Sequence, residues 1–201
     1  MSGVAPPGLV ESLASRRAYD KGAEIFRARA EARHVFYLVR GRVVLRRYGP
    51  GGEDVVIHAA QAGEFFAEAS LHSGRYHCTA VAATDVEVAC LDAGVLASKL
   101  RSDPDFAMAW LAIVSRQLRG ARARIERLSL RHAAERIRHL LITEGQGERP
   151  SYTLRGTLRE LAGELGLTHE ALYRTLAAME RDGTLARRDG TLVLLRSPAP
   201  G

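Results

Sequence analysis

The chain has two cysteines, two lysines, no apolar run long enough to span a membrane and no N-terminal leader pattern. Cys78 and Cys90 cannot build a disulfide framework and are expected as reduced, buried, small apolar residues. Without a run of ~18 apolar residues or a signal peptide, a soluble cytoplasmic protein without membrane association is expected. No H-x-H pair occurs, and His72 and His77 stand five apart, so the ligand pattern of a cupin-type metal oxygenase is missing. Neither a Ser-His-Asp constellation nor a Walker-type phosphate loop is present, and the chain is not expected to be an enzyme or to hold a catalytic metal. There are no internal repeats and no low-complexity tracts.

What is present is arginine, 27 residues against two lysines, a bias that a GC-rich genome also produces. Net charge is +6, and it is uneven. Residues 1–100 carry 12 basic and 11 acidic side chains, residues 101–130 carry 6 and 3, and residues 131–201 carry 11 and 9. The positive excess lies in the second half, which suits a polyanionic partner there. Apolar residues make up 46% of the 201, enough for packed cores in one large or two small domains.

Residues 1–15 read as a loose tail with a short helix. From Tyr19 the pattern is β-rich: AEIF (23–26), HVFYLVRGRVVLRRY (34–48) hinged at Gly41, a hairpin loop at Gly49-Pro50-Gly51-Gly52, DVVIHAA (54–60), HCTAVAAT (77–84) and VEVACLD (86–92). Short strands broken by glycine turns indicate an antiparallel β-roll or barrel. Helical periodicity begins near Asp92, and a long helix follows Pro104. In it Leu111, Val114, Leu118, Ala121, Ile125 and Leu128 are spaced 3, 4, 3, 4, 3, an a/d seam that predicts a two-stranded coiled coil. Arg116, Arg119, Arg122, Arg124 and Arg127 fall on its other faces. A further amphipathic helix over 131–144 turns Ala134, Ile137, Leu140 and Leu141 inward, and GQGERPS (145–151) reads as a loop.

Residues 157–190 carry the densest signals. Thr157 and Glu160 form a capping box, Leu158, Leu161, Ala162 and Leu165 share one helical face, and Gly166 stops that helix. Thr168 caps a second helix whose inward stripe is Leu172, Leu176 and Met179, ended by Gly183. Asp189-Gly190 between two apolar runs is a hairpin turn. Helix, tight turn, helix and hairpin predict a winged helix-turn-helix. The outward face of its second helix carries His169, Glu170, Tyr173 and Arg174. Arginine can donate two bonds to guanine and glutamate can accept from cytosine. Thr157, Thr168, Arg187 and Arg188 are candidate phosphate contacts.

The expected fold is therefore α+β: a jelly-roll-like antiparallel β-roll over 1–102 as sensor domain, a dimerisation helix over 103–130, and a winged helix-turn-helix over 131–201. This order, with KGAEIF (21–26), FYLVRGRVVL (36–45), GEFFAEASL (63–71) and LGLTHEALYRTLAAMERDGTL (165–185), resembles the CRP/FNR family of bacterial transcription regulators over about residues 18–195. The resemblance implies a homodimer on a near-palindromic double-stranded DNA site, RNA polymerase as a further partner, and a roll that is controlled by a small effector or has lost it. The signal would pass by pivoting of the winged domains about a hinge near 129–132. The family's base-reading Glu-x-x-(Ser or Gly)-Arg stands here as Glu170-Ala171-Leu172-Tyr173-Arg174, with a bulky tyrosine at the small position. Glu68 matches the glutamate that holds a ribose hydroxyl in nucleotide-binding relatives. Their Arg-Ser or Arg-Thr phosphate clamp aligns with His77-Cys78, with Arg75 two residues early. A neutral imidazole and a thiol lose the charge-assisted clamp, so cyclic AMP or GMP is not expected. No cysteine precedes Cys78, which excludes the four-thiolate iron–sulfur cluster of the oxygen-sensing branch. No cofactor is predicted. Haem near His72, His77 and Cys78, with His34 and His58 as further ligands, stays open as an alternative. So do a thiol switch at Cys78 and a sensor module that acts on a partner protein without binding DNA.

Overall fold

Strand β3 (His34–Arg40) is apolar on both faces, and the first unit forms around it. A computed structural model describes residues 14–49, 51 and 54–196, and the chain divides into the units Met1–Arg116 and Gln117–Gly201.

In the first unit two four-stranded antiparallel sheets face each other. One runs β1 (Ala14–Tyr19), β8 (Val86–Asp92), β3, β6 (Phe65–Phe66). The other runs β2 (Glu24–Phe26), β7 (Thr79–Ala82), β4 (Arg42–Tyr48), β5 (Asp54–Gln61). Alternate residues Phe36 and Leu38 of β3, and Val43 and Leu45 of β4, meet between the sheets, as the period of two requires. The ring of Phe26 stacks on Tyr76 at 3.9 Å and on Phe36 at 5.5 Å. Gly41 turns β3 into β4 at φ +91°, and a Cβ there would stand 2.3 Å from the Asp85 carbonyl, so only glycine fits. The opposite face of β3 contributes Val35 to a second cluster with Phe65, Leu91, Leu96, Trp110 and Ile113. Leu96 comes from α1 (Ala93–Ser102), capped by Asp92, and Trp110 and Ile113 from the first turns of α2 (Pro104–Ser129).

The start of the chain departs from expectation. Ala14–Tyr19 is a strand paired with β8 along its whole length. Its side chains alternate little, with Arg16 and Arg17 exposed, so hydropathy carried no strand period. The rest of the expected tail, residues 1–13, lies outside the described residues, as do Pro50 and Gly52 of the expected hairpin loop.

In the second unit α3 (Ala133–Glu144), α4 (Leu158–Glu164) and α5 (His169–Arg181) pack on a three-stranded sheet ordered β10 (Leu185–Arg188), β11 (Thr191–Leu194), β9 (Ser151–Thr153). Ile137, Leu140, Leu141, Leu161, Leu165, Leu172, Leu176 and Met179 form one buried cluster with Tyr152, Leu185, Leu192 and Leu194. Each fully buried aliphatic side chain contributes about 1.5–3 kcal/mol. The loop expected to run through Ser151 ends one residue early, because β9 adds a third strand to the wing through Tyr152 opposite Leu192. Among the described residues no helix is long and apolar enough to cross a membrane.

Candidate nucleic-acid interface and effector pocket

Helix α5 is positioned from both ends and from below. The Thr157 hydroxyl accepts from the Glu160 amide, while the Glu160 carboxylate accepts from the Thr157 amide at 2.8 Å. Both halves of the expected capping box therefore exist. Gly166 adopts φ +62°, and the Thr168 hydroxyl accepts from the Ala171 amide at 3.1 Å to start α5. Leu172, Leu176 and Met179 are fully buried, and by the 3.6-residue period His169, Glu170, Tyr173 and Arg174 are all exposed. The rings of His169 and Tyr173, one turn apart, lie 4.4 Å centroid to centroid. Tyr173 is thus held against α5 on the face that carries the base-reading candidates.

Arg136 braces the turn between α4 and α5. Its guanidinium donates to the carbonyls of Leu165 and Gly166 at 2.9 and 3.0 Å, and to Leu130 at 2.9 Å. A Cβ on Gly166 would lie 2.9 Å from Leu128 Cδ2 and 3.1 Å from Arg136 Nη1. The last turn of α2 is bound into the same unit. Glu126 meets His139 at 3.3 Å, and Arg127 meets Glu144 at 2.5 Å. The stretch expected to act as a hinge, 129–132, is therefore flanked and spanned by contacts within one unit. Arg127, on a face of α2 away from the seam, is 3% exposed.

In the wing, Asp189 and Gly190 have φ +45° and +74°, the two positive values of a type I′ turn. Arg188 is exposed. Arg187 is exposed as well, and forms a two-pronged ion pair with Glu180 on α5.

The seam residues of α2 divide. Leu111 is 55% exposed, Leu118 49% and Ile125 66%, and Ala121 is exposed as well. Val114 leans partly onto the cluster around Trp110, and Leu128, 38% exposed, reaches toward Gly166. Met108, 65% exposed, adds an apolar residue that the seam spacing does not include.

In the roll, Glu68 opens a short 3₁₀ turn (Glu68–Ser70) after Ala67 at φ +67°. Burial pushes its carboxyl above the usual range. His77 Nδ1 pairs with Ser70 Oγ at 2.9 Å, and burial, followed by the nearby Arg47 cation, lowers its pKa. Burial pushes the Cys78 thiol up to about 11, with Arg47 and Glu68 as its charged neighbours. Arg47, which sequence reading passed over, donates to the His77 carbonyl at 3.2 and 3.1 Å. Its placement depends on the β4–β7 register, in which Arg46 stands opposite Thr79. Arg75 donates instead to the Arg29 carbonyl at 2.9 Å, and His72 is exposed. Cys78 thus has Glu68 and Arg47 as charged neighbours, the exposed His77 pairs with Ser70, and Arg75 is tied elsewhere.

Cys78 and Cys90 are 1% and 2% exposed. At pH ~8 a thiol of pKa about 11 is only about a thousandth thiolate. Cys78 in the native protein is expected to resist a water-soluble alkylating reagent and to react fully after unfolding. Mass spectrometry of the labelled protein measures this, and rapid native labelling would contradict the burial.

A β-roll of two antiparallel sheets, a long helix, and a winged helix-turn-helix with an exposed polar recognition face define a class: transcription regulators that couple a sensing roll to a DNA reader. Residues 16–103 match the cyclic nucleotide-binding domain family. The chain is 30% identical over 194 residues to the cyclic AMP receptor protein of Thermus thermophilus, spanning 94% of this chain and 89% of that protein. It is 27% identical over 199 residues to the nitrogen fixation regulation protein FixK of Azorhizobium caulinodans, spanning 95% and 79%. In structure it is similar to FixK2 from Bradyrhizobium japonicum, with a TM-score of 0.73 at 23% identity, covering 94% of this chain and all of that one (100%). The chain belongs to the CRP/FNR family of transcription regulators. Its relatives are DNA-binding regulators, not enzymes.

Proposed function

We propose that this chain is a homodimeric, sequence-specific regulator whose paired α5 helices read a near-palindromic site, with half-sites about one helical turn, roughly 34 Å, apart. The observation that carries it is the face of α5: His169, Glu170, Tyr173 and Arg174 are exposed together above a fully buried stripe. Arg174 and Glu170 read bases, Tyr173 contacts a base or the backbone beside them, and the capping residues Thr157 and Thr168 lie at the helix starts where phosphates bind. This face favours a DNA reader over a module that acts on a partner protein alone. RNA polymerase is the partner on which the bound dimer acts.

The roll takes an effector other than a cyclic nucleotide, or has lost its effector. Glu68 remains, but no arginine stands in the clamp position, and Arg75 is held by the Arg29 carbonyl. A thiol switch has little support, since Cys78 is buried and its pKa is raised. Native mass spectrometry of freshly purified protein reads subunit number and any retained ligand, haem included, in one spectrum.

The test of the reading uses the tightest duplex selected from a random pool. Arg174→Ala is expected to lose about 1–3 kcal/mol of discrimination, roughly 5- to 150-fold, between that duplex and bulk DNA. Binding to bulk DNA persists and weakens steeply with salt. Unchanged discrimination in the variant refutes the base-reading role.

A further inference from the structure

Arg187 and Arg188 are neighbours in the wing, yet the structure gives them different surroundings. In the β10–β11 ladder Arg187 stands opposite Leu192 and Leu185 opposite Leu194. Leu185, Leu192 and Leu194 are buried, so Arg187, two residues after Leu185, shares the core-facing side of the sheet. Arg188 stands opposite Thr191 on the other face, next to the turn. From the inner face Arg187 reaches α5. Its Nε donates to Glu180 Oε1 at 2.9 Å and its Nη2 to Glu180 Oε2 at 2.6 Å. This is the planar two-bond fork that arginine makes with a carboxylate. Glu180 lies seven residues after Tyr173, on the same side of α5. The Glu180 hydrogen bond does most to hold Arg187 in its charged form, with the Tyr173 phenol as a further neighbour.

We propose that the Arg187–Glu180 pair is a strut that fixes the wing on the recognition helix, so that Arg187 is a positioning residue and Arg188 the phosphate-contacting arginine. This rests on the DNA-reading role proposed above. An arginine already neutralised by a carboxylate displaces no net counter-ion when the wing approaches DNA, whereas an unneutralised one does. The two arginines therefore differ in the salt dependence they contribute. A strut also acts on all sequences alike, because it sets where the wing lies and not which base is read.

The test measures dissociation constants on the selected duplex and on bulk DNA across a salt series. Arg188→Gln should reduce the slope of log K against log salt by about 0.9. Arg187→Gln should leave the slope unchanged, and both Arg187→Gln and Glu180→Gln should weaken both duplexes equally, by about two- to fivefold, at salt high enough to screen the charge that Glu180→Gln frees on Arg187. The double variant should be no weaker than either single one, and the charge swap Glu180→Arg with Arg187→Glu should recover affinity. A slope reduction in Arg187→Gln, or tighter binding in Glu180→Gln at that salt, overturns the strut. A thermal double-mutant cycle on the same three variants needs no DNA. Non-additive melting shifts support the strut and additive shifts overturn it, even if the DNA reading itself fails.

Discussion

Leu118→Glu is expected to give a monomer that no longer binds a duplex with two half-sites. Leu118 sits at the middle of the exposed stripe on α2, 49% exposed, one heptad from Leu111 and one from Ile125. Large aliphatic residues at that spacing along a helix with charged flanks need a cover, and a second copy of the same helix supplies it with matching period. In a two-fold pair Leu118 lies close to its own copy, so the substitution removes two leucines and puts two carboxylates into one closed seam. Losing two buried leucines costs about 3–6 kcal/mol. That weakens the dimer by roughly 10²- to 10⁴-fold before the cost of burying charge. The consequence for DNA is larger than for any single contact. A dimer presents its second reader at an effective concentration in the millimolar range, and losing that link forfeits about 10²–10⁴ in apparent affinity. Light scattering after size exclusion reads the subunit number, and gel shifts compare one half-site with two. Single half-site binding should be unaffected. A variant that stays dimeric would sink the seam as the interface.

The DNA-reading end was legible because its signals are local. The caps at Thr157 and Thr168, the positive φ at Gly166, Gly183, Asp189 and Gly190, and the three-residue stripe of α5 each act within a few residues. The outcome follows from short-range sterics and hydrogen bonds that the residue types declare. What escaped reading depends on partners distant in sequence. β1 is a strand because β8, about 70 residues on, supplies its hydrogen bonds. Arg47 reaches the His77 carbonyl only through the β4–β7 register, and Arg187 differs from Arg188 because the ladder turns it toward Glu180. The long-range partners make Arg136 a brace, Arg187 a strut and Arg127 a buried ion. An arginine side chain looks the same in sequence whether its carboxylate is water-exposed, buried or absent.

Arg127 has the largest consequence of the three. It is 3% exposed on the last turn of α2, and its charge is met by Glu144 at the end of α3, with the Thr143 hydroxyl at 3.3 Å. Arg127 Nε lies buried without an acceptor among the described residues, so the compensation falls on Nη2. Arg155 approaches the other oxygen of Glu144 at 3.6 Å, placing that carboxylate between two guanidinium groups. Removing one partner of a buried pair is costly because the remaining ion cannot be rehydrated. The side chain of Glu144 is itself 28% exposed, which admits some water and lowers the loss. Glu144→Gln is therefore expected to destabilise the unit by about 2–4 kcal/mol. At about 4–8 °C per kcal/mol for a unit of this size, that is a melting drop of about 8–32 °C. Arg127→Met behaves oppositely. It removes the buried ion and keeps the apolar contacts of the stem, while Glu144 retains Arg155 and solvent, so stability should change by under about 1 kcal/mol or rise. Differential scanning calorimetry on the two variants decides between a buried ion that needs its partner and an ordinary surface pair. Equal, small shifts in both would place Arg127 in water and remove the anchor that ties the end of α2 to α3.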